Sequence, residues 1–406
     1  MKKIYEDQQL TCFDCGSTFI FSGEEQKRFD RLNYVPPKRC KACREKRRKA
    51  RKAEEARIQA EKKKSEQVRW EKQKATEKRL FEQKIQNFNT AVVSDISVDP
   101  AKTLYIIGNG FDRMHDVPSS YYDFNKTIGK NSPLRFALET YLNVEDLWAD
   151  FEEALGHLNV GMMLDPNILD MWLDNFNAYD PDAQAADFFL AVDTATGPAS
   201  TITSDLPRRF RMWVESLICD TEKRPLQGLV QDGKVLCFNY TEFIENLYGV
   251  SESHVCYIHG CRRKKKFHPK EKLILGHRPG AGEEEWDVDV RTPRFKDPYK
   301  RYVFEAAVDT ASRQLGWYDD ETTKNSLNII KDHQEFFEGL KEIETAVVIG
   351  HSLSPVDWDY FREIKHKAKI SHWYVTCYGY RDLQSLKRFI SAMGIHKDRI
   401  TVIRLI

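Results

Sequence analysis

The chain is predicted to be an α/β protein: a Rossmann-like parallel sheet with a helical insertion, preceded by a small metal-bound module and a long charged helix. Three observations predict this. Apolar runs such as Leu104–Ile107, Val235–Phe238 and Ala346–Ile349 each end at a glycine or a polar side chain, as strands buried on both faces do. Towards the C-terminus such runs alternate with helix-forming segments, the pattern of βα units. Near the N-terminus, two Cys-x-x-Cys pairs precede a stretch of Lys, Arg, Glu, Gln and Ala that lacks Gly and Pro.

A chain of 406 residues with 41% hydrophobic content can hold one large domain and smaller appendages. Its net charge of +1 hides an asymmetry. Lys38 to Arg79 holds 19 basic and 7 acidic residues, an excess of +12, against −11 elsewhere. This is a basic arm on an acidic body. No apolar run is long enough to span a bilayer and no hydrophobic signal core follows Met1, so a cytoplasmic protein with no membrane attachment is expected. Of nine cysteines, four lie in the Cys-x-x-Cys pairs and the others are scattered in apolar segments, which fits metal ligation with reduced thiols.

The first predicted domain is 1–48. Cys12 and Cys15, then 24 residues, then Cys40 and Cys43 let four thiolates converge tetrahedrally on a structural zinc ion. A segment this short needs such a staple, and four cysteines leave no open catalytic position. Phe13, Phe19, Phe21, Phe29 and Tyr34 are expected to form its apolar body. The second region, 49–90, is a charged helix or linker. Helix-forming sequence runs from Arg44 to about Asn87, where Ile58, Val68, Trp70, Leu80, Phe81 and Ile85 make no regular heptads. It reads as a solvated single helix or weak coiled coil. Both a spacer and a nucleic-acid-binding arm remain open, since excess charge attracts phosphate while only Trp70 lies between Arg44 and Leu80 to stack on a base. Ala91 to Pro100 reads as a linker or a short edge strand.

The main domain is 100–406. Its opening strand, Thr103–Ile107, leads into Gly108 and Gly110, which permit a sharp turn and close approach of a ligand. A helix after that turn would favour a phosphate at its N-terminus. A tight turn binding nothing is the other reading, because Arg113 stands at the third glycine of the dinucleotide fingerprint. Asp112 suits capping backbone donors or binding a ribose hydroxyl. An insertion at about 130–230 is mostly helical, with Leu147–Leu155 its clearest amphipathic piece, and roofs the cleft. Lys234–Phe238 is a strand delivering Asn239 to a ligand, unless Asn239 and Glu242 form a helix cap. His254–Ile258 ends at His259, poised to titrate near neutrality as a general base or hydrogen-bonded as structure. Cys261 to Lys272 is a basic loop, and Leu273–Leu275 is a further apolar run before His277. Two βα units and a closing strand at Ile400–Ile406 follow. Gly350-His351-Ser352 is not a nucleophile elbow, because Ser354 replaces its last glycine.

Two resemblances add to this reading. The Cys12–Gly16, Phe19–Gln26 and Pro36–Arg44 motifs resemble the probable zinc-ribbon domains attached to many bacterial proteins, over about Gln9 to Arg48, which implies zinc and contact with nucleic acid or a protein. Ile106–Asp112 with Val117–Phe124, then Leu147–Glu152, Phe238–Tyr240, Ile258–Gly260 and Ile349–Asp357, resemble the signature of the abortive-infection AbiH family of bacterial phage-defence proteins. The same motifs are more distantly similar to the sirtuin-like domains of defence enzymes that destroy NAD. This chain departs from that pattern at Asn109, Phe238 and Thr241. The resemblance implies a sirtuin-like fold, with NAD or a related nucleotide as substrate or ligand, cleaved at the nicotinamide–ribose bond. Asn239 and His259 take the catalytic places. Gly108, Asn109, Gly110, Phe111, Asp112, Ser352 and Asp357 take the nucleotide-binding ones, the glycine loop through its backbone amides. The alternative is a non-catalytic nucleotide sensor whose zinc ribbon and basic helix grip nucleic acid or a phage protein. An oligomer is compatible with either.

Overall fold

The computed structural model describes the chain apart from residues 1–4, 33, 165, 179, 181, 264–271, 282–294 and 406, and apart from the side chains of 55, 56, 59, 63, 66 and 166–168. It divides into two compact units, Met1–Arg79 and Leu80–Ile406.

In the first unit, strands β1 (Gln8–Thr11) and β2 (Thr18–Phe21) pair antiparallel. Their turn carries Cys12 and Cys15 and closes through Gly16 at φ 70°, a left-handed position that suits glycine. The helix Gly23–Arg31 follows, with Ser22 accepting a capping hydrogen bond from the Glu25 amide. Phe21 packs edge-on against Phe29, and Phe29 against Tyr34. Phe13 departs from the expected apolar body: it is 78% exposed. The helix Lys41–Ile85 runs for 45 residues and has no polar-to-apolar face of note, as its composition predicts.

The second unit is built on seven parallel strands: β3 (Asn89–Val92), β4 (Thr103–Ile107), β5 (Lys234–Cys237), β6 (Val255–Tyr257), β7 (Thr345–Ile349), β8 (His372–Thr376) and β9 (Ile400–Arg404). Their spatial order is β3-β9-β8-β7-β4-β5-β6, each pair parallel. Counted from β4, this is the 3-2-1-4-5-6 order of the Rossmann fold, with β3 added at one edge. The chain reverses its direction of travel between β4 and β7. That places a crevice at their carboxyl ends.

Alternation within each strand builds a core on both faces. Tyr105, Ile107, Val235, Cys237, Val347 and Ile349 face the insertion, and Leu104, Ile106, Leu236, Ala346 and Val348 face the opposite layer. The helices Trp358–Lys367 and Tyr380–Met393 supply that opposite layer through Tyr360, Phe361, Leu386 and Phe389. On the other side the helix Ala185–Ser216 spans 32 residues, with Pro198 and Pro207 inside it, and packs along Pro133–Tyr141 and Pro298–Thr322.

The helix Pro298–Thr322 is unanticipated by the sequence reading, which places no element between His277 and Ala346. Leu147–Leu155 forms only the one-turn helix Phe151–Ala154, with Trp148, ahead of it, stacked on Phe151 at 5.2 Å. Leu273–Leu275 joins no strand; the Ile274 amide donates to the His259 carbonyl. In the basic loop expected at Cys261 to Lys272, residues 264–271 lie outside the described residues. Among the described residues, no helix is long and apolar enough to cross a membrane.

Candidate functional sites: a four-cysteine centre and a cavity at the strand ends

The four thiols of the first unit meet. All sulfur atoms of Cys12, Cys15, Cys40 and Cys43 lie within 4.8 Å of one another, and the Cys15 and Cys40 sulfurs are 3.9 Å apart. Tetrahedral zinc with bonds of about 2.3 Å requires sulfur separations of about 3.8 Å, so the geometry fits the ion. The first pair sits on the hairpin turn; the second brackets the start of the helix Lys41–Ile85. Burial pushes the Cys12 thiol up, but amides of Cys40, Cys15 and Asp14 more than offset this and hold it near 6. The neighbouring sulfurs of Cys15 and Cys40 push Cys43 in the opposite direction, to about 12. A divalent cation resolves the conflict by taking all four as thiolates. Asp14 accepts from Arg39 at 2.8 Å and from Arg47 at 2.7 Å, bracing the first knuckle against the second.

In the second unit a cavity of about 550 Å³ opens at the carboxyl ends of the strands, between the sheet and the insertion. Gly108, Asn109, Gly110, Asp112, Asn239, His259, Ser352 and Asp357 all line it. Phe111 does not. It is fully buried, with its ring against His115 and Tyr248, so the nucleotide contact expected of it gives way to packing.

The glycines also act otherwise than expected. Gly108 N donates to the Ile349 carbonyl at 2.9 Å and Gly110 N to Gly350 O at 2.7 Å. A β-carbon on Gly108 would stand 2.5 Å from His351 Cα, and one on Gly350 2.2 Å from Phe111 N. Two strand-end turns interlock here, and glycine is needed for protein to approach protein. The phosphate cradle expected of these two amides is therefore absent. The helix after the turn, Gly110–Met114, is a single short turn. Asn109 turns its side chain to Ser119, donating to its carbonyl and accepting from its hydroxyl.

Asn239 does not cap a helix. The helix Phe243–Tyr248 starts from Glu242 with no side-chain cap, and Glu242 pairs with Arg262 at 2.9 Å. Instead Asn239 Nδ2 donates to Asp112 Oδ1 and Thr241 Oγ1 to Asp112 Oδ2, both at 2.7 Å. Asp112 is 2% exposed. Burial raises its carboxyl to about 7, against the partial opposition of Thr241 and Asn239. The departure of Thr241 from the sirtuin-like pattern thus supplies a second donor to this carboxylate.

His259 departs from its expected titration near neutrality. Burial first, then the Lys324 charge, hold its imidazole well below the usual value, and its Nε2 lies 3.2 Å from the Tyr360 hydroxyl. Lys324, absent from the sequence-based candidates, is fully buried and binds Glu152 Oε2 at 2.6 Å and Asp357 Oδ1 at 2.9 Å. Burial would lower the ammonium and raise the Asp357 carboxyl; their mutual attraction reverses both. His351 accepts the Leu353 amide on Nδ1 at 2.9 Å, which leaves its Nε2 as the N–H facing Asp357 Oδ2 at 3.4 Å. Tyr121 donates to the other oxygen of Glu152. Glu152 and His351 lie within the quoted motifs and Thr241 directly follows one; Lys324 stands alone in a polar stretch and carries no local signal.

Two family models match the chain, one over each unit. A family model described as a probable treble clef domain matches residues 6–52, consistent with a hairpin knuckle and a helix-borne second pair. No curated protein and no solved structure matches the chain. A second family model, bacteriophage abortive infection AbiH, matches residues 104–378, which takes in β4 through β8 and every lining residue except Asp382. With two thirds of its length covered, the chain belongs to the bacteriophage abortive infection AbiH family.

Proposed function

We propose that the second unit serves anti-phage defence by hydrolysing the nicotinamide–ribose bond of NAD or a related nucleotide. The observation that carries this reading is the buried Asp112–Asn239 pair on the wall of a nucleotide-sized cavity at the topological switch point. Glycosidic cleavage passes through an oxocarbenium-like transition state. It needs negative charge nearby and a group to receive the proton of water. Asp112, titrating near 7, suits the proton acceptor, so the base role expected of His259 passes to it. The water oxygen bonds to the ribose carbon as the carbon–nitrogen bond breaks; the bonding pair neutralises the pyridinium, which leaves as nicotinamide without needing an acid. Asn239 has its Nδ2 on Asp112 and keeps its carbonyl for the water or a ribose hydroxyl. Neutral His259 offers a hydrogen bond to the sugar, and ionised Asp357 adds to the negative field. Ser352 and the exposed Arg113 line the same cavity and suit the phosphate side, in place of the committed glycine amides.

The test is nicotinamide release from NAD by full-length protein, with and without phage lysate. Asn239→Ala and Asp112→Asn are each expected to lower it by about 100-fold. Undiminished release in Asn239→Ala would contradict the reading. Nucleotide bound without release under any trigger would instead make the second unit a non-catalytic sensor.

A further inference from the structure

The first unit exposes apolar surface that its zinc centre does not use. A groove of about 580 Å³ runs between Leu10–Phe13 and Val35–Lys38. Its sides are held in register by the Phe13 amide, which donates to the Lys38 carbonyl at 3.0 Å. Phe13 and Val35 are 78% and 79% exposed, too much for side chains that serve a core. The Arg39 guanidinium lies 5.4 Å from the Phe13 ring centre while bonding Asp14, so the ring is held beside a fixed cation.

Basic side chains outnumber acidic ones on the segment that leads from this groove into the helix, Lys38 to Lys49. Arg39 and Arg47 share the single carboxylate of Asp14, and Arg44 pairs with Glu25. Lys38, Lys41, Lys46, Arg48 and Lys49 are exposed and make no ion pair among the described residues. They begin on the groove rim and continue along the first turns of the helix Lys41–Ile85. The cations that brace the fold are thus distinct from a surplus that faces solvent.

We propose that this groove binds single-stranded nucleic acid, a base stacking on Phe13 and the backbone phosphates following Lys38, Lys41 and the helix start. Charge complementarity selects a polyanion, and the exposed ring selects one with unpaired bases. In a duplex the bases are already stacked within the helix and offer Phe13 no free face. An acidic polypeptide would meet the charges but leave the ring without a stacking partner. The inference is independent of the NAD reading, since it concerns the first unit alone.

The test is fluorescence anisotropy of labelled 12-nucleotide single strands, DNA and RNA, and a 12-base-pair duplex, titrated with full-length zinc-loaded protein at several salt concentrations. Phe13→Ala is expected to weaken single-strand binding by about tenfold and leave the salt dependence in place. Lys38→Glu with Lys41→Glu is expected to make the slope of log affinity against log salt shallower by about 1.4. One zinc per chain in each variant shows that the module is still folded. Absence of salt-dependent binding, equal binding of the duplex, displacement by polyglutamate as effective as by unlabelled strand, or unchanged affinity in zinc-loaded Phe13→Ala would each overturn the proposal.

Discussion

A carboxyl group buried between an amide and a hydroxyl, as Asp112 is, keeps its proton to about pH 7. The unfolded chain releases that proton near the ordinary carboxylate value of about 3.9. The native state therefore binds the extra proton between these values. The stability it contributes is full below the unfolded value and is lost as pH rises through about 7. A shift of this size corresponds to roughly 4 kcal/mol. Urea denaturation is expected to show lower stability at pH 8 than at pH 5, and Asp112→Asn to flatten the difference; an unchanged profile would assign the effect to another group. Lys324 obeys a different rule. Its replacement by Met leaves buried Asp357 and half-buried Glu152 as like charges without their shared cation, at an expected cost of about 3 kcal/mol. Adding Glu152→Gln and Asp357→Asn to that variant is expected to recover most of the loss in the same measurement. A triple variant as unstable as the single one would place the cost in packing.

At the scale of elements, the interlocked ends of β4 and β7 form the floor of the cavity. Gly350 adopts φ 63°, and the next turn contains Leu353 at φ 55°, a left-handed conformation that glycine takes easily and leucine does not. Such strain beside a cavity accords with a site where neighbouring structure over-determines the backbone. Gly350→Ala adds a β-carbon 2.2 Å from Phe111 N as well as occupying the positive φ, and is expected to cost about 3 kcal/mol in thermal unfolding. A phosphate-cradling role would show the converse, intact stability with lost nucleotide affinity. The insertion lines the opposite wall through Phe210, Trp213, Val214 and Leu217, all near the end of the helix Ala185–Ser216. Glu152 and Lys324 connect this layer to Asp357 at the strand ends.

For the whole molecule, two compact units predict two responses to metal removal. Among the described residues, the Met1–Arg79 unit has few buried apolar side chains besides Phe21, and it depends on its thiolates. The Leu80–Ile406 unit has apolar cores on both faces of its sheet. A strong chelator is expected to release one zinc per chain and abolish the near-ultraviolet signal of the first unit's aromatic residues. The main thermal transition should persist. Loss of both together would show that the second unit's stability depends on the first.

Features that depend on local spacing are legible in the amino-acid chain alone. The zinc ligands follow from two Cys-x-x-Cys pairs, and β4, β5 and β7 from continuous apolar runs that only a sheet covered on both faces can bury. Short motifs at strand ends also placed Asp112, Asn239, His259, Ser352 and Asp357 on one cavity, since parallel strands all deliver their carboxyl ends to the same side. Tertiary structure decided what those side chains do. Asn239 reaches Asp112 across 127 residues of chain and Lys324 reaches Glu152 across 172, and no local pattern encodes either contact. The charge on His259 and the proton on Asp112 are likewise set by burial among distant neighbours, because the cost of desolvating a charge depends on the surrounding volume and not on the adjoining sequence.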